Sequence, residues 1–430
     1  MEFLRKLFGI LGNCRGTDVV ELADTTATEL DYAIPELWDT KIRLDAIKQA
    51  FWGSRFEGKQ GSKAPIIINT DFSKSAGDTL HFQTMKRLKA DGVTGATTLA
   101  GSEEKLSLSQ FDLTVDWVRH AVAFDKRGTK RANFDAVMVA GEELSDWLAR
   151  YIDDAMFKEL VSDETPSTIY SGGKTSEANL TSSDVFNTDS LDRAKLALIR
   201  KGSIPFQVKS VGGSSLKYFG IVIDAIDAFN LRGDDAWYSA QRDANMRGMD
   251  NPIFTGALGI YNGMIVYEFG NVGGQMGTWL RPEAKLSAAI DGATTTVTVT
   301  IDSDTSIEAT KYFPTTGTIR VDNEEMEYSA KADNTFTVTR GSNGTTAATH
   351  ASDALVTLRN ITKQVGFGAE IAVRGWGMYP QKTKEVQDYG FRFGVGIEAV
   401  FGHQAIKDSY GNIPNYVMMK SYAANPNSSI

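Results

Sequence analysis

Residues 89–105 read KADGVTGATTLAGSEEK, and the fold turns on where this stretch can go. It is rich in Gly and Thr and too polar to build a core, yet apolar alternation flanks it on both sides. Thr79-Leu80-His81-Phe82 reads as a strand before it. After it, Leu106 and Leu108 alternate on even positions, and Phe111, Leu113, Val115 and Trp117 on odd ones. That phase change predicts one extra residue, a β-bulge, near Ser109-Gln110. A long loop without structure of its own is uncommon inside a compact domain. An extended hairpin over about 84–112, reaching out to another subunit, removes the difficulty.

Working outward, Val137, Leu144, Trp147, Leu148, Tyr151, Ile152, Ala155, Met156 and Leu160 form one apolar stripe from about residue 132 to 161. A helix of that length would run roughly 45 Å. Glu142, Glu143, Asp146, Arg150, Asp153 and Asp154 fall largely on its other side. A second helix, about Leu191 to Lys201, is expected to end at Gly202. Pro65–Ile68 and Tyr218–Ile223 read as strands, and Asn262-Gly263 between apolar runs marks a tight hairpin. Tyr389, Phe391, Phe393, Val395, Ile397, Ala399 and Phe401 occupy every odd position, which predicts a long half-buried strand. The tail SYAANPNSSI is expected to fray.

Residues 284–359 break the style of the chain. They are Thr-rich, lack Trp and alternate in runs such as Thr296–Ile301, Thr318–Val321 and Thr335–Thr339. Asp322-Asn323, Asp333-Asn334 and Ser342-Asn343-Gly344 punctuate them as turns. This reads as a small inserted all-β module, large enough to fold on its own.

The N-terminal MEFLRKLFGILG is interrupted by Glu2, Arg5 and Lys6 and has no small-residue cleavage site, so it is not read as a signal peptide. Phe3, Leu4, Leu7, Phe8 and Leu11 instead suit a short amphipathic helix packing on a neighbour. Within the same arm, Trp52 and Phe56 are expected to be intersubunit anchors, because interfaces are enriched in aromatic residues. No apolar run approaches bilayer-spanning length. The boundaries expected are an arm at 1–62, strands and extended loop at 63–130, a spine helix at 131–165, a second lobe at 180–283, the insert at 284–359 and a return at 360–430.

Little in the sequence suggests catalysis. The net charge is −9, with 45 Lys+Arg against 54 Asp+Glu, which argues against tight phosphate-backbone binding as the main task. Cys14 alone excludes an internal disulfide framework. His81, His120, His350 and His403 stand at no metal-ligand spacing, so no metal and no cofactor are expected. Gly172-Gly173-Lys174-Thr175 resembles the end of a phosphate loop, but Thr168 stands where its leading glycine belongs. Asp322, Glu324, Glu325 and Glu327 read as a solvated hairpin edge rather than a calcium site. Asp116, Arg119 and His120 read as structural or interfacial residues.

The order of elements resembles the Hong Kong 97-type capsid fold of tailed phages, an α+β architecture. Local wording is similar to the podovirus-type major capsid family: Phe56-Glu57-Gly58-Lys59, Ala64-Pro65-Ile66, Gly77-Asp78-Thr79, Leu99-Ala100-Gly101-Ser102-Glu103-Glu104 and Asp116-x-x-Arg119-His120-Ala121-Val122. Asn251-Pro252-Ile253-Phe254-Thr255-Gly256-Ala257-Leu258-Gly259 and Asp388-Tyr389-Gly390 continue it. The resemblance covers about residues 35–282 and 361–415, and the insert departs from the simplest members.

It implies an N-arm, an extended β-loop, a peripheral domain with a spine helix and an axial domain, in a subunit that assembles with copies of itself into hexamers and pentamers. Such a shell would enclose double-stranded DNA without reading its sequence, with no membrane and with scaffold, portal and decoration proteins as candidate partners. It would be made in the host cytoplasm and end in the virion. The contact residues this implies are Phe3, Leu7, Phe8, Trp52, Phe56, Leu88, Val93, Leu99, Glu103, Glu104 and Leu106. An encapsulin-like compartment and a secreted adhesion or surface-layer protein are the competing readings. Some related shells carry Lys–Asn crosslinks; Lys89 and Lys105 lie near the loop, but no acceptor is evident and none is expected.

Overall fold

In the computed structural model of the chain, Ala140, Leu144, Leu148, Ile152, Met156 and Leu160 are buried along one side of the helix Ala136–Val161. Their four-residue spacing makes a nearly straight ridge, and 26 residues give a rod about 39 Å long. The structure describes residues 50–423 apart from 54, 71–78, 86–87, 89–91, 96–97, 102, 107, 132–135, 162–167, 210–214, 246–257, 270–277, 302–307 and 409–412.

The N-terminal half of this helix lies on a five-stranded sheet. In spatial order its strands are Glu57–Gly58, Ile66–Asn69, Ala372–Gln387, Arg392–Ala405 and Asp116–Asp125. Leu144, Leu148 and Ile152 pack there against Trp376, Val395, Ile397, Ala399 and Phe401. The two long strands form a hairpin from the pair Ala372↔Ala405 out to Gln387↔Arg392. Buried Arg374 lies in this sheet, where it forms an ion pair with Glu57 and its Nε donates to His403 Nε2 at 2.6 Å. Burial pushes the guanidinium down to about 9 and, with the Arg374 charge, pushes His403 well below its ordinary value.

A second sheet runs Thr168–Tyr170, Tyr416–Tyr422, Ile361–Phe367, Ser215–Asp224, Met264–Phe269 and Gly259–Tyr261, with Phe206–Lys209 also on Ser215–Asp224. Asn262 and Gly263 make its tight turn at positive φ, which suits Asn and Gly. The helix Thr188–Arg200 begins at Asn187, whose side chain accepts from Ser190 N at 3.1 Å, and Gly202 follows it at φ 70°. Asp227, fully buried, accepts from Thr362 and Gln364 at 2.7 Å each, and burial raises its carboxyl to about 7.

The two sheets share one core. Trp52 and Phe56 meet Phe157 of the long helix and Phe367 and Tyr267 of the second sheet, with ring centroids 5.0 to 5.6 Å apart. Asp153 Oδ2 and Oδ1 accept from the backbone N–H groups of Phe51 and Trp52 at 2.7 and 2.8 Å. Asp153 is therefore buried rather than solvated, and burial lifts its carboxyl to about 7 even though those N–H groups pull it down.

Glu283–Leu286, Thr296–Thr300, Thr335–Thr339, Glu324–Ala332, Gly317–Val321 and Leu355–Thr357 close into a six-stranded barrel. It has its own apolar core, including Val297, Val299, Ile319, Val321, Tyr328 and Phe336. Its entry and exit strands are neighbours, with Glu283 opposite Thr357.

Several expectations are corrected. Leu108–Thr114 pairs with Thr79–Met85 in unbroken register, so no bulge lies at Ser109-Gln110. The phase change arises because Leu106 and Leu108 face solvent. The chain changes sheets between Thr114 and Asp116, crossing so close to Gly402 that a Cβ there would come within 1.9 Å of Thr114 O. The odd-position strand begins only at Arg392, because Asp388, Tyr389 and Gly390 all take positive φ in the turn before it.

Glu324 is not a solvated edge. Arg340 grips it from Nε and Nη2 at 2.7 and 2.8 Å, and His350 Nε2 lies 2.9 Å from it. Burial alone would raise this carboxyl, but Arg340, His350 and the N–H groups of Ala348 and Gly341 outweigh it and hold it at about 2. The folded value lies below the ordinary 4.5, so this contribution is complete above about pH 4.5 and fades as pH falls toward 2. Glu324→Ala should strip the barrel of about 3–5 kcal/mol, since it leaves Arg340 buried and unpaired. Hydrogen exchange on the full chain should then quicken in Thr296–Thr300 and Thr335–Thr339; unchanged protection would contradict this.

Candidate assembly interface

The antiparallel ribbon formed by Thr79–Met85 and Leu108–Thr114 is a two-stranded sheet of its own. A lone ribbon is marginal in water, so its root must be held by packing. Phe82 and Phe111, directly opposite one another, stack at 5.2 Å with planes 9° apart. Leu113, fully buried, lies below them with Ile67 and Val373 of the five-stranded sheet. The opposed pair His81 and Asp112 is joined at 2.6 Å, and with Gln110 the His81 contact lowers the Asp112 carboxyl.

Beyond the root this support ends. Leu88, Leu99, Leu106 and Leu108 are 61%, 60%, 65% and 64% exposed, and Val93 is half-buried. Glu103 and Glu104 are exposed beside them, and Glu103 Oε2 accepts from Gly101 N at 2.7 Å. Gly92, Gly95 and Gly101 sit at φ of 72°, 73° and 90°, values that let the polar stretch turn without a core. Four leucines on or beside one ribbon are thus left exposed, and exposed apolar side chains are candidates for protein contact.

The expected contact residues divide three ways. Leu88, Val93, Leu99, Glu103, Glu104 and Leu106 all lie in the segment that connects the ribbon's two strands, and all but half-buried Val93 are exposed. Phe3, Leu7 and Phe8 fall outside the described residues. Trp52 and Phe56 are corrected: at 0% and 1% exposure they fill the subunit's own core and offer a neighbour no surface. Aromatic character suited both roles, and only burial separates them.

Sequence reasoning did not single out the far tip of the long hairpin. Val386 and Tyr389 there are fully or largely exposed, and Phe391 is nearly half exposed. Asp388-Tyr389-Gly390 was the available signal, a turn sequence interrupting apolar alternation. Trp117 is also exposed, whereas His120 rests on Trp147 of the long helix at 4.6 Å. Among the described residues no group of three or more His, Cys, Asp or Glu side chains is placed to hold a metal, and no helix is long and apolar enough to cross a membrane.

A family model described as phage capsid protein matches residues 24–172 and 164–276, more than half of the chain. The chain belongs to the phage capsid protein family. It is a major capsid protein, a virion structural subunit that forms the shell with copies of itself, and its fold is the α+β fold of phage capsids. The capsid of Ralstonia phage GP4 matches with a TM-score of 0.59 and 18% identity, covering 88% of this chain and 92% of that one. The cyanophage Pam1 capsid matches at 0.58 and 17%, covering 88% and 93%. The capsid of Helicobacter pylori bacteriophage KHP30 matches at 0.55 and 14%, covering 86% and 90%. No curated protein matches by sequence.

The capsid protein's ribbon should be the first element to loosen when its root is cut. Phe111→Ala should speed amide exchange across Thr79–Met85 in the unassembled subunit while Ile361–Phe367 keeps its protection. Equal acceleration in both would show that the ribbon is not an independent projection.

Proposed function

We propose that subunits close head to tail into hexamers and pentamers, and that the ribbon of each lies across the next. The shell is then of the Hong Kong 97 type, with residues 84–112 as the extended loop, 131–165 as the spine and 180–283 as the axial region. The observation that carries this is the set of leucines at 88, 99, 106 and 108, each at least 60% exposed on or beside a two-stranded sheet of its own. Fully covering a leucine gains roughly 1.5–3 kcal/mol. Four per contact, repeated around a closed ring, hold a subunit by many modest contacts at once.

Glu103 and Glu104 at the same edge fit a role in register, since an exposed charge steers partners more than it binds them. The tip around Tyr389 and the arm carrying Phe3, Leu7 and Phe8 supply further contact candidates. A net charge of −9 suits a container that encloses double-stranded DNA without gripping it. Scaffold, portal and decoration proteins remain partners in this proposal, with assembly in the host cytoplasm. The subunit performs no catalysis, and no covalent crosslink through Lys89 or Lys105 is required.

The decisive experiment is assembly of Leu99→Asp and Leu106→Asp variants. Both should stay soluble and folded by circular dichroism, because neither side chain supports the subunit core, yet yield no closed shells in electron micrographs. Normal particles from the double variant would sink the ribbon contact.

The barrel is proposed as an accessory knob, and its neighbouring entry and exit strands support this. Replacing residues 285–358 with a short linker should leave shells that still close but withstand less heat. Complete failure to assemble would count against the accessory role.

A further inference from the structure

Head-to-tail contacts close a ring but do not join one ring to the next, and the sheet edges bear on that second contact. An unpaired edge strand is a template for another strand, so proteins keep such edges short, bulged, charged or broken by Pro. Among the described residues, three sheet edges follow this rule. Glu57–Gly58 has two residues, and Thr168–Tyr170 and Gly259–Tyr261 have three each. The barrel is closed and has no edge. Asp116–Asp125 is different. It has ten residues, lacks Pro, carries no charge from Ala121 to Phe124, and pairs with Arg392–Ala405 in unbroken register. No described strand lies on its outer side.

Its side chains suit a copy of itself. Val118 and Val122 pack toward the long helix and His120 rests on Trp147, whereas Arg119, Ala121, Ala123 and Asp125 are exposed on the other face. An antiparallel copy with Val122 opposite Val122 sets Arg119 opposite Asp125 at both ends and Ala121 opposite Ala123 between them. Within the subunit, Glu398 already lies opposite Arg119, and Arg392 opposite Asp125. The pairing therefore completes two rows, Glu398–Arg119–Asp125–Arg392, whose signs alternate across the boundary. Opposite charges directly across a ladder are favourable, and like charges are not. A shift of two residues either way loses both ion pairs, because it sets Arg119 opposite Ala123 or Arg127. There is also room for the helices. Ala136–Val161 packs on Val395, Ile397, Ala399 and Phe401 of the strand next to the edge. In the pair those two strands stand three spacings apart, about 14 Å. Packed helices need roughly 8–10 Å, so both fit on one face.

We propose that Asp116–Asp125 pairs antiparallel with the same strand of a second copy about a twofold axis, and that this contact joins one ring to the next. Main-chain hydrogen bonds hold the two edges together, and the Arg119–Asp125 pairs set their register. Its place between rings rests on the ring assembly proposed above, whereas the strand pair itself does not involve the ribbon.

Val122→Cys in a Cys14→Ser chain tests the pair, because opposed residues of antiparallel strands have Cα atoms about 4.5–5.5 Å apart, within disulfide reach. Mildly oxidised shells should give covalent dimers and nothing larger on a denaturing gel without reductant. That dimer forms whether or not rings close head to tail, so the two readings fail separately. Arg119→Asp should leave rings that no longer join into closed shells, and adding Asp125→Arg should restore closure. The double swap also sets like charges against Glu398 and Arg392, so its recovery cannot come from repair within the subunit. In the unassembled subunit, alternate amides of residues 119–124 should exchange fast. Closed shells without the covalent dimer would overturn the proposal, as would a double variant no better than Arg119→Asp. Uniform protection of 119–124 before assembly would also overturn it, marking the edge as covered by the chain's own arm.

Discussion

Two lobes become one subunit through the packing around Trp52. The indole and the Phe56 ring are covered by the long helix on one side and by the second sheet on the other. Phe367 belongs to a strand of the second sheet, and only a few residues later the same chain enters the five-stranded sheet at Ala372. The Asp153 carboxylate fixes the backbone of Phe51 and Trp52 onto the helix, so the aromatic cluster has a defined entry point. Interior packing of this density resists sliding, and the lobes consequently present their surfaces in fixed relation. A shell needs that rigidity, because an angular error in one subunit is repeated in every copy.

Exposed apolar groups on this rigid body include those of the ribbon and the hairpin tip, alongside others such as Phe229 and Tyr238. The ribbon and its flank carry exposed leucines, and the long hairpin ends in an exposed Tyr389. A monomer designed to stay alone would place charges there. The same hydrophobic effect that closes the core is left incomplete at these edges. Chemistry-bearing residues show the opposite pattern. His403, Arg374, Glu324 and His350 are all buried in ion-paired or hydrogen-bonded networks that hold strands together.

The barrel repeats the logic of the body on a small scale. It has a closed sheet, a separate core and an ionic latch in which Arg340 and His350 converge on Glu324. Closure removes its edge strands, which protects a Thr-rich β module from pairing with neighbouring barrels in a crowded shell.

By itself the sequence determined the local elements, because their causes are local. Four-residue apolar spacing made the long helix, alternation made the strands, Asn262-Gly263 made the tight turn, and the shift to Thr-rich alternation announced the β insert. The polar run at 89–105 also announced a segment with no core beneath it. The tertiary structure alone decided which apolar and charged side chains face inward. Trp52 and Phe56 looked like contact residues and proved to be core, whereas Leu108 looked like a strand's inner face and proved exposed. Asp153 and Glu324 have the same side chains as solvated carboxylates elsewhere in the chain, and only their distant partners, Phe51 and Trp52 for one and Arg340 and His350 for the other, hold them inside. Composition and periodicity describe a residue and its near neighbours, but burial depends on contacts between segments tens or hundreds of residues apart.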